Sequence, residues 1–222
     1  MTAAPVGVLV PAAGLGVRLG PGGPKALREL AGEPLLVHAV RGLRAAPSVG
    51  PIVVAATDVP LVEELLRPYD VVVVAGGAER QDSVRLALQA LDPGVELVLV
   101  HDAARCLTPP ELVEAVVAEL RAGADAVVPV LPVADTVKSV DGVTVVATLD
   151  RTSLRAVQTP QGFARAVLAR AHAAGLPAAT DDAGLVELCG GTVRTVPGSE
   201  KAFKVTRPID LLLAEAVLAA RS

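Results

Sequence analysis

Short, almost continuously apolar runs alternate with helical patterns along the first part of the chain. The apolar runs are rich in valine and span Val6–Val10, Ile52–Ala55, Val71–Val74, Leu97–Val100 and Ala126–Val130. Such strands are typical of a parallel sheet that is covered on both faces. Apolar positions at helical spacing predict intervening helices over Leu35–Ala45, Val59–Leu66, Asp82–Leu91 and Pro110–Arg121. This alternation predicts an α/β fold with a mostly parallel sheet and helices on both faces.

One segment departs from the alternation and predicts a β-hairpin. Thr136–Val140 and Val143–Leu149 flank Asp141-Gly142, the preferred two-residue turn for positive φ. Two strands alone are marginally stable in water, so their apolar positions need a partner surface. We expect a second copy of the chain to provide it, in a homodimer built through residues 133–151.

The pattern after the hairpin changes from helices to short strands and then to a last helix. Helices are predicted over Gln161–Ala174 and Asp181–Cys189, the second ended by two glycines. Thr192–Val196 and Ala202–Val205 are predicted strands, and Thr206-Arg-Pro208 begins a helix that runs to about Ala220. Without a linker or repeat, we expect residues 1–222 to form one domain that carries 133–151 as an arm.

A glycine-rich loop follows the first predicted strand. Residues 11–25 hold five glycines and three prolines, which excludes a helix or strand and exposes backbone N–H groups to an anion. Arg18 and Lys25 add positive charge, and the combination favours a polyphosphate ligand. Ala26 after the lysine excludes a P-loop, and Leu19 replaces the third glycine of a dinucleotide fingerprint.

Polar residues also follow other predicted strands, at the edge where α/β sheets bind ligands. They include Arg80, Asp102 and Arg105, while Lys204 lies within the predicted strand Ala202–Val205. One carboxylate among several cations suits Mg2+ chelated by a triphosphate. Simpler alternatives remain open for each residue. Asp102 could cap a helix, Arg80 and Arg105 could be solvated surface charges, and Lys204 could point outward from an edge strand.

Composition excludes several classes of function. The chain is 52% hydrophobic and 20% charged, as expected of a globular protein, and only 1% aromatic. Few aromatics and a net charge of −4 argue against nucleic-acid binding and against a membrane surface. No apolar run approaches the ~18 residues of a membrane span. The two cysteines have no metal-binding spacing, and the start has no secretory pattern, so we expect a cytoplasmic protein.

Several motifs occur together and in order, and jointly they indicate one family. They are Pro11-Ala-Ala-Gly-Leu-Gly-Val-Arg18, Pro24-Lys25, Gly76-Gly77-x-x-Arg80-x-x-Ser83, Val100-His-Asp-Ala-Ala-Arg105, Asp135-Thr136-Val-Lys138, Gln158-Thr-Pro-Gln161 and Lys204-Val-Thr-Arg-Pro208. The chain resembles the 2-C-methyl-D-erythritol 4-phosphate cytidylyltransferases of the non-mevalonate isoprenoid pathway. The resemblance implies a Rossmann-like nucleotidyltransferase fold and a homodimer. It also implies transfer of a cytidylyl group from CTP, with Mg2+ as cofactor, giving 4-diphosphocytidyl-2-C-methyl-D-erythritol and pyrophosphate.

The resemblance also implies roles for individual residues. Arg18, Lys25 and Lys204 would be catalytic cations. The nucleotide would be bound by Ala12, Ala13, Gly14, Gly16, Gly77, Arg80 and Ser83. Asp102 would serve both the metal and the substrate. The sugar phosphate would be bound by Arg105, Thr159, Thr180 and Lys204, together with Thr136 and Arg151 from the partner subunit. Ala78 stands where some relatives carry a polar residue, so it receives no role.

Two other functions stay open at this point. A cytidylyltransferase for another polyol phosphate, such as ribitol 5-phosphate, would share the loop and the motif that ends in Arg105. A non-catalytic nucleotide-sensing domain would keep the fold.

No general base is expected, because the acceptor phosphate is already a nucleophile at neutral pH. His101 is therefore not assigned as a base, and His172 is expected to contact only a helix dipole.

Overall fold

The computed structural model describes residues 4–14, 19, 23–176 and 179–220. In chain order the strands are β1 (Val6–Pro11), β2 (Glu29–Leu30), β3 (Glu33–Pro34), β4 (Val49–Ala56), β5 (Val72–Ala75), β6 (Leu97–Val100), β7 (Ala126–Pro132), β8 (Lys138–Asp141), β9 (Thr144–Thr148), β10 (Arg155–Val157), β11 (Gln161–Ala164) and β12 (Val193–Pro197). The helices are α1 (Leu35–Arg44), α2 (Val59–Leu66), α3 (Arg80–Ala90), α4 (Pro110–Arg121), α5 (Arg165–Ala173), α6 (Asp182–Leu188) and α7 (Pro208–Ala219).

The central sheet has the order β10-β7-β11-β6-β1-β4-β5, and β12 pairs with β7. The pairs β6–β1, β1–β4 and β4–β5 are parallel, whereas β11 runs antiparallel to both β6 and β7. The predicted α/β fold with a mostly parallel sheet is confirmed. The antiparallel strands on the other side of β6 make the sheet mixed.

Two of the three core clusters in the described residues lie on opposite faces of the sheet, because neighbouring residues of a strand face opposite sides. Val6, Val8 and Val10 of β1 pack in one cluster with α1, α2 and α4. Leu9 packs in the other, with α3, α5 and α6. The strands buried on both faces explain the continuous apolar runs of the sequence. At the sheet edge, β5 departs from this rule, and Val72 is half exposed.

Two predicted elements are wrong. The helix predicted from residue 161 begins only at Arg165, since Gln161–Ala164 form β11. A Cβ on Gly162 would lie 2.6 Å from Val116 of α4, so close packing of the strand against this helix depends on the glycine. The strand predicted at residues 202–205 is instead the end of a 3-10 helix, Glu200–Ala202, followed by an irregular segment. No ladder pairs this segment, although Val205 N donates to Ala104 O.

The predicted hairpin is confirmed as β8 and β9, which form a separate two-stranded antiparallel sheet. The turn lies one residue later than predicted: Asp141 pairs with Thr144, so Gly142 and Val143 form the turn, and Gly142 adopts a positive φ of 56°. The valines of β8, β9 and the turn between them are exposed in the single chain. In the described residues, no helix is long and apolar enough to span a bilayer.

Candidate active site

A pocket of about 260 Å³ lies beyond the carboxyl ends of β1, β5 and β6. The segment after β1 contributes backbone, the β5–α3 connection contributes glycine and the first turn of α3, and the turn after β6 contributes a carboxylate. The predicted site residues that line it are Ala12, Ala13, Gly14, Lys25, Gly77, Arg80, Ser83, Asp102 and Lys204. The fold therefore brings together residues that lie far apart in the chain.

Five other predicted site residues do not line the pocket: Arg105, Thr136, Arg151, Thr159 and Thr180. Gly16 and Arg18 fall outside the described residues. Thr136 and Arg151 are exposed in the arm, where Arg151 donates a hydrogen bond to the carbonyl of Ala134. Thr180 is exposed and directly precedes the N-cap residue of α6.

Asp102 is the most strongly paired carboxylate of the pocket. Its Oδ1 accepts from Arg80 Nε at 3.3 Å, and its Oδ2 lies 2.7 Å from Lys204 Nζ. Burial opposes ionisation of the carboxyl group, but Arg80 and Lys204 outweigh it and hold the pKa of Asp102 well below its usual range. Asp102 is thus ionised in the pocket and caps no helix. Lys204 faces the pocket rather than pointing outward.

Arg80 lies between two carboxylates. Its Nη1 donates to Asp182 Oδ2 at 2.7 Å, while Nε is directed to Asp102. Burial favours the neutral form, but the two carboxylates outweigh it and raise the pKa of Arg80. The alternative of a solvated surface charge is therefore wrong for Arg80. Oδ1 of Asp182 in turn lies 3.0 Å from Nε2 of His172, so this histidine, in the last turn of α5 as expected, also makes a buried contact with a carboxylate.

Glycine at two positions of the pocket has a physical reason. A Cβ on Gly77 would lie 2.2 Å from Cβ of Asp82, so only glycine lets this loop pack against the first turn of α3. Gly77 N donates to Ser83 Oγ at 3.1 Å, which fixes the loop. At Gly14, which lines the pocket, a Cβ would meet no atom of the described residues within 4 Å.

Three polar side chains of one segment hold the loops around the pocket. Thr159 Oγ1 accepts from Asp102 N at 3.0 Å. The side-chain amide of Gln158 makes two hydrogen bonds to the backbone of Ser199. It donates to the carbonyl at 2.8 Å and accepts from the N–H at 3.0 Å. The Gln161 amide donates to Asp181 Oδ2 at 2.7 Å. The motif Gln158–Gln161 thus joins the segments that carry Asp102, Lys204 and Asp182.

Arg105 and His101 make hydrogen bonds to the segments around the pocket. Arg105 donates to the carbonyls of Ala202 at 2.7 Å and Val157 at 3.1 Å, and burial lowers its pKa. It is therefore not a solvated surface charge. His101 is buried, bonded through Nδ1 to Thr159 Oγ1 at 3.1 Å, and burial lowers its pKa to about 4. His101 does not line the pocket, and the expectation that it is no general base stays a prediction.

Sequence reasoning missed Asp182, His172 and the amide contacts of Gln158 and Gln161. The doubled aspartate at the start of a predicted helix was the available signal. A helix needs only one N-cap, and Asp181 fills that position by accepting from Gly184 N at 2.9 Å. The second aspartate was therefore available for another contact.

Comparisons with known proteins agree with the sequence motifs. The family model described as 2-C-methyl-D-erythritol 4-phosphate cytidylyltransferase matches residues 6–220. A relative of that name from Frankia casuarinae is 61% identical over 217 residues, covering 96% of this chain and 81% of the relative. Another, from Saccharopolyspora erythraea, is 60% identical over 220 residues, covering 95% and 98%. The crystal structure of the Thermus thermophilus protein of that name superposes with a TM-score of 0.81 at 40% identity, covering 98% of this chain and 100% of that one. The chain therefore belongs to the 2-C-methyl-D-erythritol 4-phosphate cytidylyltransferase family.

Proposed function

We propose that the protein transfers the cytidylyl group of CTP to 2-C-methyl-D-erythritol 4-phosphate. An oxygen of the acceptor phosphate attacks the α-phosphorus of CTP and forms a new P–O bond. The bond from that phosphorus to the oxygen bridging to the β-phosphate breaks, and pyrophosphate leaves with the electron pair. The other product is 4-diphosphocytidyl-2-C-methyl-D-erythritol.

The observation that carries this proposal is the charge pattern of the pocket in a chain of this family. Lys25, Arg80 and Lys204 line the pocket with Asp102. Open backbone at Gly14 faces the same space. Bare backbone and several cations suit a triphosphate. Family membership supports the identities of donor and acceptor.

The chemistry follows from repulsion between two anions. An acceptor phosphate carries nearly two negative charges at neutral pH and needs no general base, but a triphosphate repels it. Lys25 and Lys204 lower that repulsion by placing positive charge where negative charge accumulates in the transition state. Arg80 and the backbone at Gly14 and Gly77 orient the donor, and positioning alone supplies a large part of such rate enhancements.

We propose Mg2+ as the metal of the reaction, entering together with CTP. No group of three or more acidic, histidine or cysteine side chains able to hold a metal occurs among the described residues. Two carboxylate residues, Glu79 and Asp102, line the pocket, and this fits an ion that takes one or two carboxylates and completes its shell with phosphate oxygens and water. Asp102 is ionised and would hold the ion, which when bound would neutralise phosphate charge.

The arm supports a proposal of homodimerisation through residues 133–151. All residues of β8 and β9 are exposed in the single chain, including Val140, Val145 and Val146. Burial of such a surface against the partner's copy would supply the stability that an isolated hairpin lacks. We propose further that Thr136 and Arg151 reach the partner's sugar-phosphate site, which Arg105, Thr159, Thr180 and Lys204 would line in each subunit.

We also propose a cytoplasmic location. Cys106 and Cys189 are both free, and unpaired cysteines suit a reducing compartment.

Pyrophosphate release tests the function directly. Purified protein is given CTP, ATP, GTP or UTP with Mg2+, and either methylerythritol phosphate or ribitol 5-phosphate as acceptor. We expect release only, or overwhelmingly, with CTP and methylerythritol phosphate, and loss of it in Lys25→Ala. Preference for ribitol 5-phosphate would reassign the acceptor. Nucleotide binding without release from any pair would favour a nucleotide-sensing domain.

A further inference from the structure

A line of alternating charges runs from the pocket into the protein interior. Lys204 contacts Asp102, Asp102 contacts Arg80, and Arg80 contacts Asp182, which ends the line against His172. The cations near the pocket are partly exposed, at 39% for Lys204 and 33% for Arg80, whereas Asp182 and His172 are only 1% and 2% exposed. The two innermost residues line no part of the pocket.

Stability does not explain an aspartate at position 182. Burial raises the cost of its negative charge, and a buried ion pair is on average no more stabilising than apolar residues of similar volume. The N-cap of α6 is already supplied by Asp181. Burial would raise the pKa of Asp182, but the hydrogen bond from His172 and the charge of Arg80 outweigh that effect and hold this pKa below its usual range. Asp182 is thus a buried anion, and the contact of Asp182 that lies nearest the pocket is the one with Arg80.

The histidine fixes the direction of that anion. An ionised carboxylate only accepts hydrogen bonds, so Nε2 of His172 must carry the proton that it donates to Asp182 Oδ1. Nδ1 of His172 is buried with no partner among the described residues. His172 therefore uses its side-chain hydrogen bond to hold Oδ1 of Asp182. The other oxygen of this carboxylate, Oδ2, accepts from Nη1 of Arg80 at 2.7 Å.

We propose that Asp182 is a positioning residue for nucleotide binding that acts through Arg80, and that His172 holds Asp182 in place. The proposal rests on the proposed function only in requiring that the pocket bind a nucleoside triphosphate. Without Asp182, Arg80 has Asp102 as its remaining carboxylate partner and shares it with Lys204. Asp182 holds the guanidinium in the pocket wall before the ligand arrives, which lowers the conformational entropy lost on binding.

The test is a double-mutant cycle on CTP affinity, measured by isothermal titration calorimetry with Mg2+ present. Asp182→Asn has the shape of the native side chain but lacks its charge. We expect CTP to bind about tenfold more weakly, since hydrogen bonds between charged groups contribute at this level. The KM for CTP should rise with it, while the KM for methylerythritol phosphate stays unchanged. Arg80→Ala combined with Asp182→Asn should bind CTP no more weakly than Arg80→Ala alone.

A matched control separates positioning from a general effect of charge. Asp82→Asn makes the same change on the helix that carries Arg80, but Asp82 is 41% exposed and pairs with Arg85. We expect wild-type CTP affinity for this variant. The proposal is overturned if Asp182→Asn lowers only the melting temperature and keeps wild-type CTP affinity. Additive losses in the double variant overturn it as well.

A second pair of variants serves if Asp182→Asn or Arg80→Ala does not fold. His172→Gln keeps an amide donor and His172→Leu removes it, so we expect only the leucine variant to weaken CTP binding. Equal CTP affinity in the two would contradict the proposal. If the wild type binds CTP but releases no pyrophosphate, the proposed function fails, yet the affinity cycle still decides the role of Asp182. If the wild type binds no nucleoside triphosphate, both fail.

Discussion

Charged side chains of the pocket are paired with one another, whereas the side chains of the hairpin strands are exposed to solvent. In the pocket, Asp102 lies between two cations, Arg80 lies between two carboxylates, and the loops are held by buried amide and hydroxyl groups. In the arm, every residue of β8 and β9 is exposed, and Val143 and Val146 extend into solvent. The described part of the pocket is thus held together within one chain, whereas the apolar surface of the arm has no cover from the described residues of that chain.

This difference teaches which properties belong to the chain alone and which to an assembly. Buried charges are tolerated only when they are paired, and the pocket satisfies that condition with its own residues. An isolated hairpin with exposed valines gains little from burial. We therefore expect changes in the pocket to act on each chain by itself, and changes in the arm to act through a partner.

The largest effect is expected from a pocket cation. Lys204→Ala should lower kcat/KM by a factor of about 10²–10³, because one positive charge near the reacting phosphates is lost. Lys201→Ala is the matched control, since Lys201 is exposed and lies slightly earlier in the same segment. Steady-state pyrophosphate release measures both. Near-wild-type turnover of a folded Lys204→Ala would reduce Lys204 to a structural partner of Asp102.

A smaller effect is expected from pH, again in the pocket region. The pKa of His101 is lowered from 6.5 to about 4 in the folded protein, so below pH 6.5 the unfolded chain binds a proton that the folded one does not. The free energy of unfolding should therefore fall by about 2 kcal/mol between pH 7 and 4.5 on account of this residue. Urea unfolding at the two pH values, without ligand, measures it.

Two variants check this assignment. His101→Asn should lose that part of the pH dependence. Asp150→Asn, at an exposed position of the arm, should retain it, because hydrogen bonds from Thr152 lower the pKa of Asp150 and it titrates below this range. An unchanged pH dependence in His101→Asn would show that other groups cause the loss of stability.

Subunit mixing tests the arm. Lys25→Ala dimers and Arg151→Ala dimers, each nearly inactive, are allowed to exchange subunits. If Arg151 acts on the partner's site, each mixed dimer has one intact and one doubly altered site. Random exchange makes half of the dimers mixed, so activity should recover to roughly a quarter of wild type.

The result is interpretable only with exchange verified by native mass spectrometry. Complete exchange without recovery would place Arg151 in the site of its own subunit. A wild-type protein that stays monomeric at all tested concentrations would contradict the dimer and the arm's role in it.

The smallest effect is expected for single valines of the arm. Val146→Ala should change the free energy of unfolding of dilute, monomeric protein by less than about 0.5 kcal/mol. The same change at the fully buried Val100 should cost roughly 2 kcal/mol, because it leaves a cavity. Denaturant unfolding compares the two. A large cost for Val146→Ala in dilute protein would mean that the arm packs against its own chain.

Local chemistry allowed much of the fold to be predicted. Continuous valine-rich runs marked β1, β4 and β6, and the helix α4 has the predicted bounds, Pro110–Arg121. Asp141-Gly142 predicted the hairpin to within one residue of its turn, because the glycine that takes the positive φ is visible in the sequence. These features depend on neighbours within a few residues, and such neighbours are visible in the sequence.

The errors occurred where distant segments meet. Gln161–Ala164 has no strong local preference and becomes a strand because β6 and β7 provide hydrogen bonds on both sides. The irregular segment at Phe203–Val205 is held by Ala104, which lies far earlier in the chain. Here tertiary pairing overrides local propensity.

The sequence by itself determined the alternation of strands and helices, the glycine-rich loop, the arm and the family, since each is written in adjacent residues. Only the tertiary structure decided how the charges are paired. From the sequence, Arg80 could have been a solvated surface charge or part of the pocket, and Asp182 could have capped α6 together with Asp181. Their contact joins residues 102 positions apart. Such a pair forms because the low dielectric of the interior makes an unpaired charge costly, and the folded chain offers each of these groups a partner of opposite sign.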